Sequence, residues 1–165
     1  MKKSLIIPAL AAALWLCPRP ARAGGDEILS LARSFLDNRE YYSAITECMR
    51  YRYLYPSGEK YAAVMLLMGE AYYRGGNYYE GVGTMASCHE KFTTTPEGER
   101  ALLSVGYMRF MTGSPLFAYR AYQEYAYLYP DGKYREEAAV DRCFILALQY
   151  DLESAREELE RYGQR

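Results

Sequence analysis

The fold is decided by residues 69–81, which read Gly-Glu-Ala-Tyr-Tyr-Arg-Gly-Gly-Asn-Tyr-Tyr-Glu-Gly. The first and last glycines lie 12 residues apart, on either side of a Gly-Gly-Asn turn. Glycine inside a helix costs about 1 kcal/mol relative to alanine, so a close contact between two helices has to offset that cost. The stretch therefore predicts two helices that cross at Gly69 and Gly81 and are joined by a short turn.

The same pairing of small residues recurs along the chain at a fixed period. Within each pair the spacing is 12 residues, and from one pair to the next it is 37. The four pairs are Ala32/Ala44, Gly69/Gly81, Gly106/Ala118 and Cys143/Ala155. A period of this length is typical of a repeat array, in which each unit buries its apolar face only against its neighbours. We therefore expect an all-α solenoid of about four helical hairpins, with helices near 26–37, 41–54, 59–74, 78–92, 97–112, 115–128, 133–149 and 152–162.

The segments that link the hairpins support the same period independently. Residues 51–58 and 125–132 agree at six of eight positions, including a shared Tyr-Pro, and lie 74 residues apart, which is two periods. Proline cannot continue a helix, so these segments end one unit before the next begins. In the second unit proline is due at Thr93 and appears at Pro96, so we expect that linker to be three residues longer.

These positions resemble the tetratricopeptide repeat, which has a small residue in the middle of helix A, a large one three later, an aromatic at the turn, a small residue early in helix B and proline at the end. The matching residues are Ala32, Phe35, Tyr41, Ala44, Cys48, Tyr51 and Pro56 in the first unit, Gly69, Tyr72, Tyr78, Gly81, Met85 and Cys88 in the second, Gly106, Pro115, Ala118, Tyr122, Tyr125 and Pro130 in the third, and Leu146, Ala155, Leu159 and Tyr162 in the fourth. Arg109 and Cys143 depart from the pattern.

The resemblance implies a right-handed solenoid over residues 24–165, with repeats near 25–58, 62–95, 99–132 and 136–165. It also implies a scaffold that binds other proteins and has no chemistry of its own. The tyrosine-rich linkers are similar to those of exported bacterial members of the family, among them outer-membrane assembly lipoproteins and cell-division coordinators.

The N-terminal residues 1–23 have the pattern of a secretory signal peptide. Two lysines precede an apolar run from Leu5 to Cys17, and Ala21-Arg22-Ala23 forms a small-x-small cleavage site. We therefore expect export to the periplasm. The alternatives are secretion from the cell, a retained N-terminal helix or a lipid anchor at Cys17, although Leu16 is not the small residue that lipidation requires there.

Charge and cysteine content narrow the class of partner. Removal of residues 1–23 takes away four of the 20 basic residues and none of the 21 acidic ones, which leaves a formal net charge of −5. Nucleic acid is therefore not an expected partner.

The three remaining cysteines, Cys48, Cys88 and Cys143, fall on positions that the repeat buries, so we expect free thiols. The alternative in an oxidising compartment is one disulfide and one free thiol.

No residue pattern predicts an enzyme, a cofactor or a metal site. The chain has one histidine, His89, and its neighbours Cys88 and Glu90 are ligand-type residues. Adjacent positions on a helix point about 100° apart, so these side chains cannot converge on one metal. We expect His89 to be a surface residue beside a buried cysteine. An enzyme is the remote alternative, because only His89 with a cysteine could support it.

The first helix of each unit is expected to line a concave groove that binds a protein or peptide. The register places in that groove Arg33, Leu36, Leu66, Glu70, Tyr73, Arg74, Leu103, Tyr107, Phe110, Met111, Phe144 and Leu148. Exposed aromatic and apolar side chains beside arginines are typical of interaction surfaces. The alternative is a homo-oligomer in which a self-associating subunit of an envelope assembly covers the groove. In the last helix, we expect Ala155 and Leu159 to face inward and Glu158 to belong to a polar outer surface.

Overall fold

The computed structural model describes residues 23–149 and 151–163, which form helices and turns without any strand. The predicted signal peptide and Cys17 lie outside these residues, apart from Ala23. The eight helices of the described part are α1 (Ala23–Asp37), α2 (Tyr41–Leu54), α3 (Tyr61–Arg74), α4 (Tyr78–Lys91), α5 (Pro96–Met111), α6 (Pro115–Leu128), α7 (Arg135–Leu148) and α8 (Leu152–Gly163). Each packs against the helix before and after it, and α3 also contacts α1 and α5. The prediction of an all-α array of helical hairpins is therefore confirmed.

The turns inside the hairpins keep the sequence period. Arg39, Gly76 and Gly113 have φ values of 65°, 85° and 76° and lie 37 residues apart. The left-handed conformation is strained for a residue with a Cβ, which explains glycine at two of the three positions. The first hairpin adopts the same turn with an arginine.

The small residues at the helix crossings allow the close approach that their spacing predicts. A Cβ added to Gly81 would lie 3.1 Å from the backbone nitrogen of Tyr73 and 3.2 Å from the carbonyl oxygen of Gly69, so α3 and α4 touch there backbone to backbone. In the next hairpin Gly106 of α5 lies against the ring of Tyr122 on α6. A methyl group at either site would have to displace its neighbour.

The repeated Tyr-Pro segments form two matching joints between hairpins. The hydroxyl of Tyr51 accepts a hydrogen bond from the backbone N–H of Lys60 (3.2 Å), and the hydroxyl of Tyr125 accepts one from that of Tyr134 (2.9 Å). Both N–H groups belong to the residue just before the next helix, where a backbone donor has no partner within the helix. Both tyrosines are buried, so their rings also fill the core.

Glycine is required in both joints by the same contact. A Cβ at Gly58 would lie 2.5 Å from the hydroxyl of Tyr51, and a Cβ at Gly132 would lie 2.6 Å from that of Tyr125. The tyrosine ring thus occupies the space that a side chain at the glycine would need. This explains why the two residues recur together at a fixed distance in the sequence.

The apolar core consists of two clusters that follow the array. The N-terminal cluster joins buried side chains of α1, α2 and α3, and the C-terminal cluster joins those from α3 to α7.

Cys48, Cys88 and Cys143 are buried and unpaired. Burial raises the pKa of the Cys48 thiol to about 12 and that of the Cys88 thiol to about 11. Both thiols are therefore protonated, and poor nucleophiles, at neutral pH.

The helix starts differ in their capping. The side chains of Ser114 and Asn77 make no capping hydrogen bond, whereas Thr95 accepts one from the backbone N–H of Gly98 (3.2 Å).

The last helix differs from the predictions. In α8 the inward position predicted for Leu159 is wrong, because this side chain is exposed, and Glu158, predicted to face outward, is buried. Glu158 forms ion pairs with Arg142 of α7 and with Arg161, and these pairs compensate the burial of its charge.

We expect the protein to lose stability in alkaline solution, in part through Tyr125. Burial, followed by a 2.5 Å hydrogen bond that its hydroxyl donates to Glu99, raises the pKa of Tyr125 above its ordinary value of about 10. The unfolded chain therefore releases this proton at lower pH than the folded protein does. The contribution of Tyr125 to the free energy of unfolding is complete below pH about 10 and is lost as the pH rises above it.

Urea unfolding measured from pH 7 to pH 11 tests this expectation. The free energy of unfolding should be level up to pH about 8, above which thiols ionise in the unfolded chain, and should fall beyond it. Tyr125→Phe should be less stable at pH 7 by about 1–2 kcal/mol, because the N–H of Tyr134 loses its acceptor. It should also show a shallower alkaline decline than Tyr53→Phe, a variant at an exposed tyrosine. Equal declines in the two variants would contradict the role given to Tyr125.

Candidate functional site

A cleft of about 940 Å³ opens on the side of the array formed by the first helices of the hairpins. Helices α1, α3, α5 and α7 all contribute to its wall, whereas the second helices contribute only Met85. The lining residues are Arg33, Ala63, Leu66, Leu67, Glu70, Tyr73, Arg74, Met85, Pro96, Glu97, Arg100, Leu103, Ser104, Tyr107, Met108, Tyr134 and Glu137. The first helices run parallel because each is separated from the next by one returning helix. Their side chains therefore repeat across the cleft in rows.

Seven of the twelve residues assigned to the groove from the register line this cleft. They are Arg33, Leu66, Glu70, Tyr73, Arg74, Leu103 and Tyr107. Phe110 lies outside the lining and packs edge-on against Phe144, with ring centroids 5.8 Å apart. Met111, Phe144 and Leu148 are exposed on α5 and α7, also outside the lining.

Leu36 does not face the cleft, which corrects the assignment made from its register. Its side chain is 6% exposed and belongs to the N-terminal cluster together with Leu67 and Ala71. The equivalent positions one and two periods later hold Tyr73 and Phe110, whose longer side chains remain partly exposed. Leu103 is also largely buried, but it still forms part of the cleft wall.

The cleft contains more charge than the sequence reasoning assigned to it. Arg100 and Glu137 lie one and two periods after Ala63, and all three line the cleft. Glu97 and Tyr134 are one period apart in the same way. The 37-residue period relates these residues to one another just as it relates Leu66 to Leu103. The signal that identifies them is therefore the same period, read at the N-terminal turns of α3, α5 and α7 instead of their middle turns.

The ionic side chains of the cleft balance one another. The lining contains three arginines, at 33, 74 and 100, and three glutamates, at 70, 97 and 137, so its formal charge is zero. Arg74 and Glu70 form an ion pair of 2.6 Å, four residues apart on α3 and partly exposed to solvent. An exposed ion pair of this kind contributes little free energy, so either side chain can give up this contact and pair with a charge on a ligand instead. A ligand carrying both signs of charge matches the lining better than a polyanion or a polycation does.

Tyrosine rings form the aromatic part of the cleft. Tyr73 meets Tyr107 edge-on with ring centroids 6.1 Å apart, and its other neighbour Tyr78 lies at 5.3 Å. Burial, with smaller contributions from Tyr107 and Tyr78, raises the pKa of Tyr73 above its ordinary value. Its hydroxyl therefore stays neutral at physiological pH. The ring of Tyr107 is about half exposed, and such a ring can cover an apolar side chain while its hydroxyl binds a backbone group.

His89 is buried, which corrects the expectation of a surface histidine. Its Nδ1 lies 3.1 Å from the carbonyl oxygen of Gly98 and 3.3 Å from the hydroxyl of Tyr129, which itself donates a 2.6 Å hydrogen bond to the carbonyl of Thr93. Because the Gly98 carbonyl can only accept, Nδ1 carries the proton and donates it. The ring thus holds the start of α5 against the end of α6. It does not line the cleft. The linker between α4 and α5, residues 92–95, has four residues and is shorter than the six-residue linkers 55–60 and 129–134, so the prediction of a longer linker is wrong.

Within residues 23–149 and 151–163, no three or more histidine, cysteine, aspartate or glutamate side chains converge in a way that could hold a metal ion. In the same residues, none of the helices is both long enough and apolar enough to cross a bilayer.

Comparison with known proteins bears on the fold alone. No protein-family model matches the chain, and no curated protein matches it. Among solved structures, it is similar to a tetratricopeptide repeat protein from Parabacteroides merdae, with a TM-score of 0.69 and 16% sequence identity over 82% of this chain and 51% of that one. The chain thus spans about half the length of that protein. The hairpin array and this likeness together show that the described chain has the tetratricopeptide-repeat fold.

Proposed function

We propose that this protein is a non-enzymatic scaffold of the bacterial envelope that binds a segment of another protein in its concave cleft. The observation that carries the proposal is the cleft itself, which is lined by four parallel helices and combines tyrosine rings with charges of both signs. Folds of this kind generally mediate contacts between proteins. The envelope location rests on the signal-peptide pattern of residues 1–23 alone.

The shape and lining of the cleft favour a peptide over a small metabolite. Its volume of about 940 Å³ lies at the upper end of the range for small-molecule pockets, which is roughly 300–1,000 Å³. Its long axis crosses successive helices, so it offers a series of similar subsites to a chain of residues. Tyr73 and Tyr107 can contact apolar side chains, while Arg33, Arg100 and Glu137 at the rim can pair with charges on either side. An extended or helical segment with mixed charge and one or two apolar anchors fits this pattern.

The absence of enzymatic activity is proposed from the state of the reactive groups. The histidine is buried and donates its Nδ1 proton to a backbone carbonyl. The Cys48 and Cys88 thiols are buried, and burial raises the pKa of both. A nucleophile must instead be exposed in part and have a lowered or matched pKa. These groups therefore serve the packing of the array.

Site-specific crosslinking in intact cells tests the proposal. A photoreactive phenylalanine analogue placed at Tyr107 should crosslink to a defined protein, whereas the same analogue at Tyr79, an exposed tyrosine of α4 outside the cleft, should not. With the partner identified and purified, Tyr107→Ala should weaken its binding by about 30-fold, as expected for an aromatic anchor worth about 2 kcal/mol. Tyr79→Ala should change the affinity by less than about twofold. Equal crosslinking at both positions, or normal binding by Tyr107→Ala, would refute the cleft as the binding site.

A further inference from the structure

Two rows of equivalent residues cross the concave side of the array on the first helices of the hairpins. One row consists of Arg33, Glu70, Tyr107 and Phe144, and each step along it is one 37-residue period. The other consists of Asp37, Arg74, Met111 and Leu148, which are the last residues of α1, α3, α5 and α7. In both rows the residue is charged in the first two hairpins and aromatic or aliphatic in the last two. We call Arg33, Asp37, Glu70 and Arg74 the charged half of the concave side, and Tyr107, Met111, Phe144 and Leu148 the apolar half.

The exposure of the apolar half does not result from the end of the array. Helix α5 packs against α3, α4 and α6, yet Tyr107 and Met111 are 50% and 56% exposed. Phe144 and Leu148 occupy the next positions of the same rows on α7 and are exposed to a similar extent. The exposure of these side chains therefore follows their register on the concave side. An apolar patch that stays in contact with water beside charged residues is typical of an interaction site.

Aromatic contacts join the apolar half to the cleft. In the cleft wall the ring of Tyr73 on α3 meets that of Tyr107 on α5, with centroids 6.1 Å apart. Their equivalents one period later are Phe110 on α5 and Phe144 on α7, which meet with centroids 5.8 Å apart and with the same angle of 61° between the ring planes. The contact that lines the cleft between α3 and α5 is thus repeated between α5 and α7. The apolar half is therefore a continuation of the cleft wall.

We propose that the binding surface extends from the cleft across the apolar half, and that the bound segment of the partner has two unlike ends. One end carries aromatic or aliphatic side chains and lies over α5 and α7, where burial against Phe144 and Leu148 removes apolar surface from water. The other end carries charges of both signs and lies over α1 and α3, where it can pair with Arg33, Glu70 and Arg74. This inference rests on the proposed function and adds to it the order of the segment along the cleft.

The chemistry of the two halves disfavours the reverse order. Apolar side chains over α1 and α3 would take Arg33 and Glu70 out of water without giving them a partner. Charged side chains over α5 and α7 would be desolvated in the same way against Phe144 and Leu148. A second copy that presented its own concave side would be a poor occupant, because two concave surfaces meet only at their rims. A segment of polypeptide can instead enter the cleft and reach both halves.

Site-specific crosslinking in intact cells tests the extension of the surface. A photoreactive phenylalanine analogue at Phe144 should crosslink to the same protein that the analogue captures at Tyr107. Phe117 of α6 is the matched control, because it is 52% exposed, as Phe144 is, but lies on a second helix. The analogue at Phe117 should not capture that protein.

The attachment points of two further analogues test the order of the segment. Leu148 and Asp37 belong to the same row but to opposite halves. Peptide mapping by mass spectrometry should place both attachment points in one segment of the partner. The analogue at Leu148 should attach beside aromatic or aliphatic residues, and the analogue at Asp37 should attach beside charged residues.

The affinity of the purified partner tests the two halves separately. Phe144→Ala should weaken binding by about tenfold or more at low and at high salt, because apolar burial is not screened. Arg33→Gln should weaken it by about threefold at low salt and by less at high salt. Phe117→Ala should change the affinity by less than about twofold. If circular dichroism shows that Phe144→Ala unfolds, Leu148→Ser repeats the test, with Leu116→Ser of α6 as its equally exposed control.

The possible failures can be assigned to one proposal or the other. Crosslinking at Tyr107 without crosslinking at Phe144 would confine the site to the cleft and overturn the extension alone. No crosslinking at either position would contradict the proposed function as well. A Phe144 crosslink to a second copy of this chain would replace the partner segment by self-association. Attachment points in the reverse order, or equal losses of affinity in Phe144→Ala and Phe117→Ala, would overturn the assignment of the two halves.

Discussion

Gly106→Ala is expected to lower the free energy of unfolding by about 2–3 kcal/mol, although alanine is the better helix former by about 1 kcal/mol. The added methyl group would lie 2.6–2.9 Å from three ring atoms of Tyr122. That ring is 1% exposed and cannot rotate away, and burial together with a hydrogen bond to Asp141 raises the pKa of its hydroxyl above the ordinary value. To admit the methyl group, α5 and α6 have to separate, and the packing of Tyr122 against α7 is lost as well.

Gly83→Ala is the matched control, since a methyl group there meets no atom within 4 Å. This variant should be more stable than the wild type by up to about 1 kcal/mol, the gain in helix propensity alone. Gly69→Ala should fall between the two, because the three atoms nearest to its methyl group, at 3.0–3.1 Å, belong to the flexible side chain of Met85. Urea unfolding at pH 7 measures all three differences. If Gly106→Ala and Gly83→Ala change the stability in the same direction, close approach does not explain the glycines of the array.

Gly98→Ala is expected to be at least as damaging, with a loss of about 3 kcal/mol or more, because the obstacle is backbone. A Cβ at Gly98 would overlap the carbonyl group of Phe92. That carbonyl accepts hydrogen bonds from the backbone N–H and the hydroxyl of Thr95, each at 2.9 Å. Its displacement would therefore break the cap of α5 and move the Gly98 carbonyl away from His89.

The single histidine provides a local readout of this change. In the wild type, nuclear magnetic resonance of the imidazole nitrogens should show a proton on Nδ1, since this atom donates to the Gly98 carbonyl. In Gly98→Ala the ring should revert towards the tautomer mixture of a free histidine, together with the loss of stability. His89→Ala should be destabilised without an effect on the capture of a partner by the cleft. A Gly98→Ala protein of wild-type stability would contradict the close contact between Gly98 and the Phe92 carbonyl.

The repeat register predicted most of the fold because it depends on positions that cannot vary freely. Gly81 and Ala118 lie where helices meet, and Tyr51 and Tyr125 lie where a hydroxyl binds the start of the next helix. Size and polarity at such positions are restricted, so they appear as a period in the sequence. The same period correctly places Glu70 and Tyr107 in the cleft wall.

The register could not predict what depends on pairing between specific residues. His89 is buried beside the Gly98 carbonyl in the first turn of α5 and beside Tyr129, the residue that follows α6, and neither partner follows from the period. Glu158 is buried because Arg142 lies opposite it on α7. Leu159 occupies an inward position of the repeat, yet that position is enclosed only where another helix follows. A periodic rule therefore describes the inside of the array well and its end poorly.

The shared position of α3 between the two apolar clusters has a consequence for how the molecule folds. Val64 belongs to the N-terminal cluster and its neighbour Met65 to the C-terminal one, while the ring of Tyr61 packs against both. Neither half can therefore form completely until this helix is in place, and neither can open completely without exposing part of the other. A linear array of hairpins could unravel one unit at a time. We expect α3 instead to couple the units in unfolding, and α8, which contributes to neither cluster, to fray first.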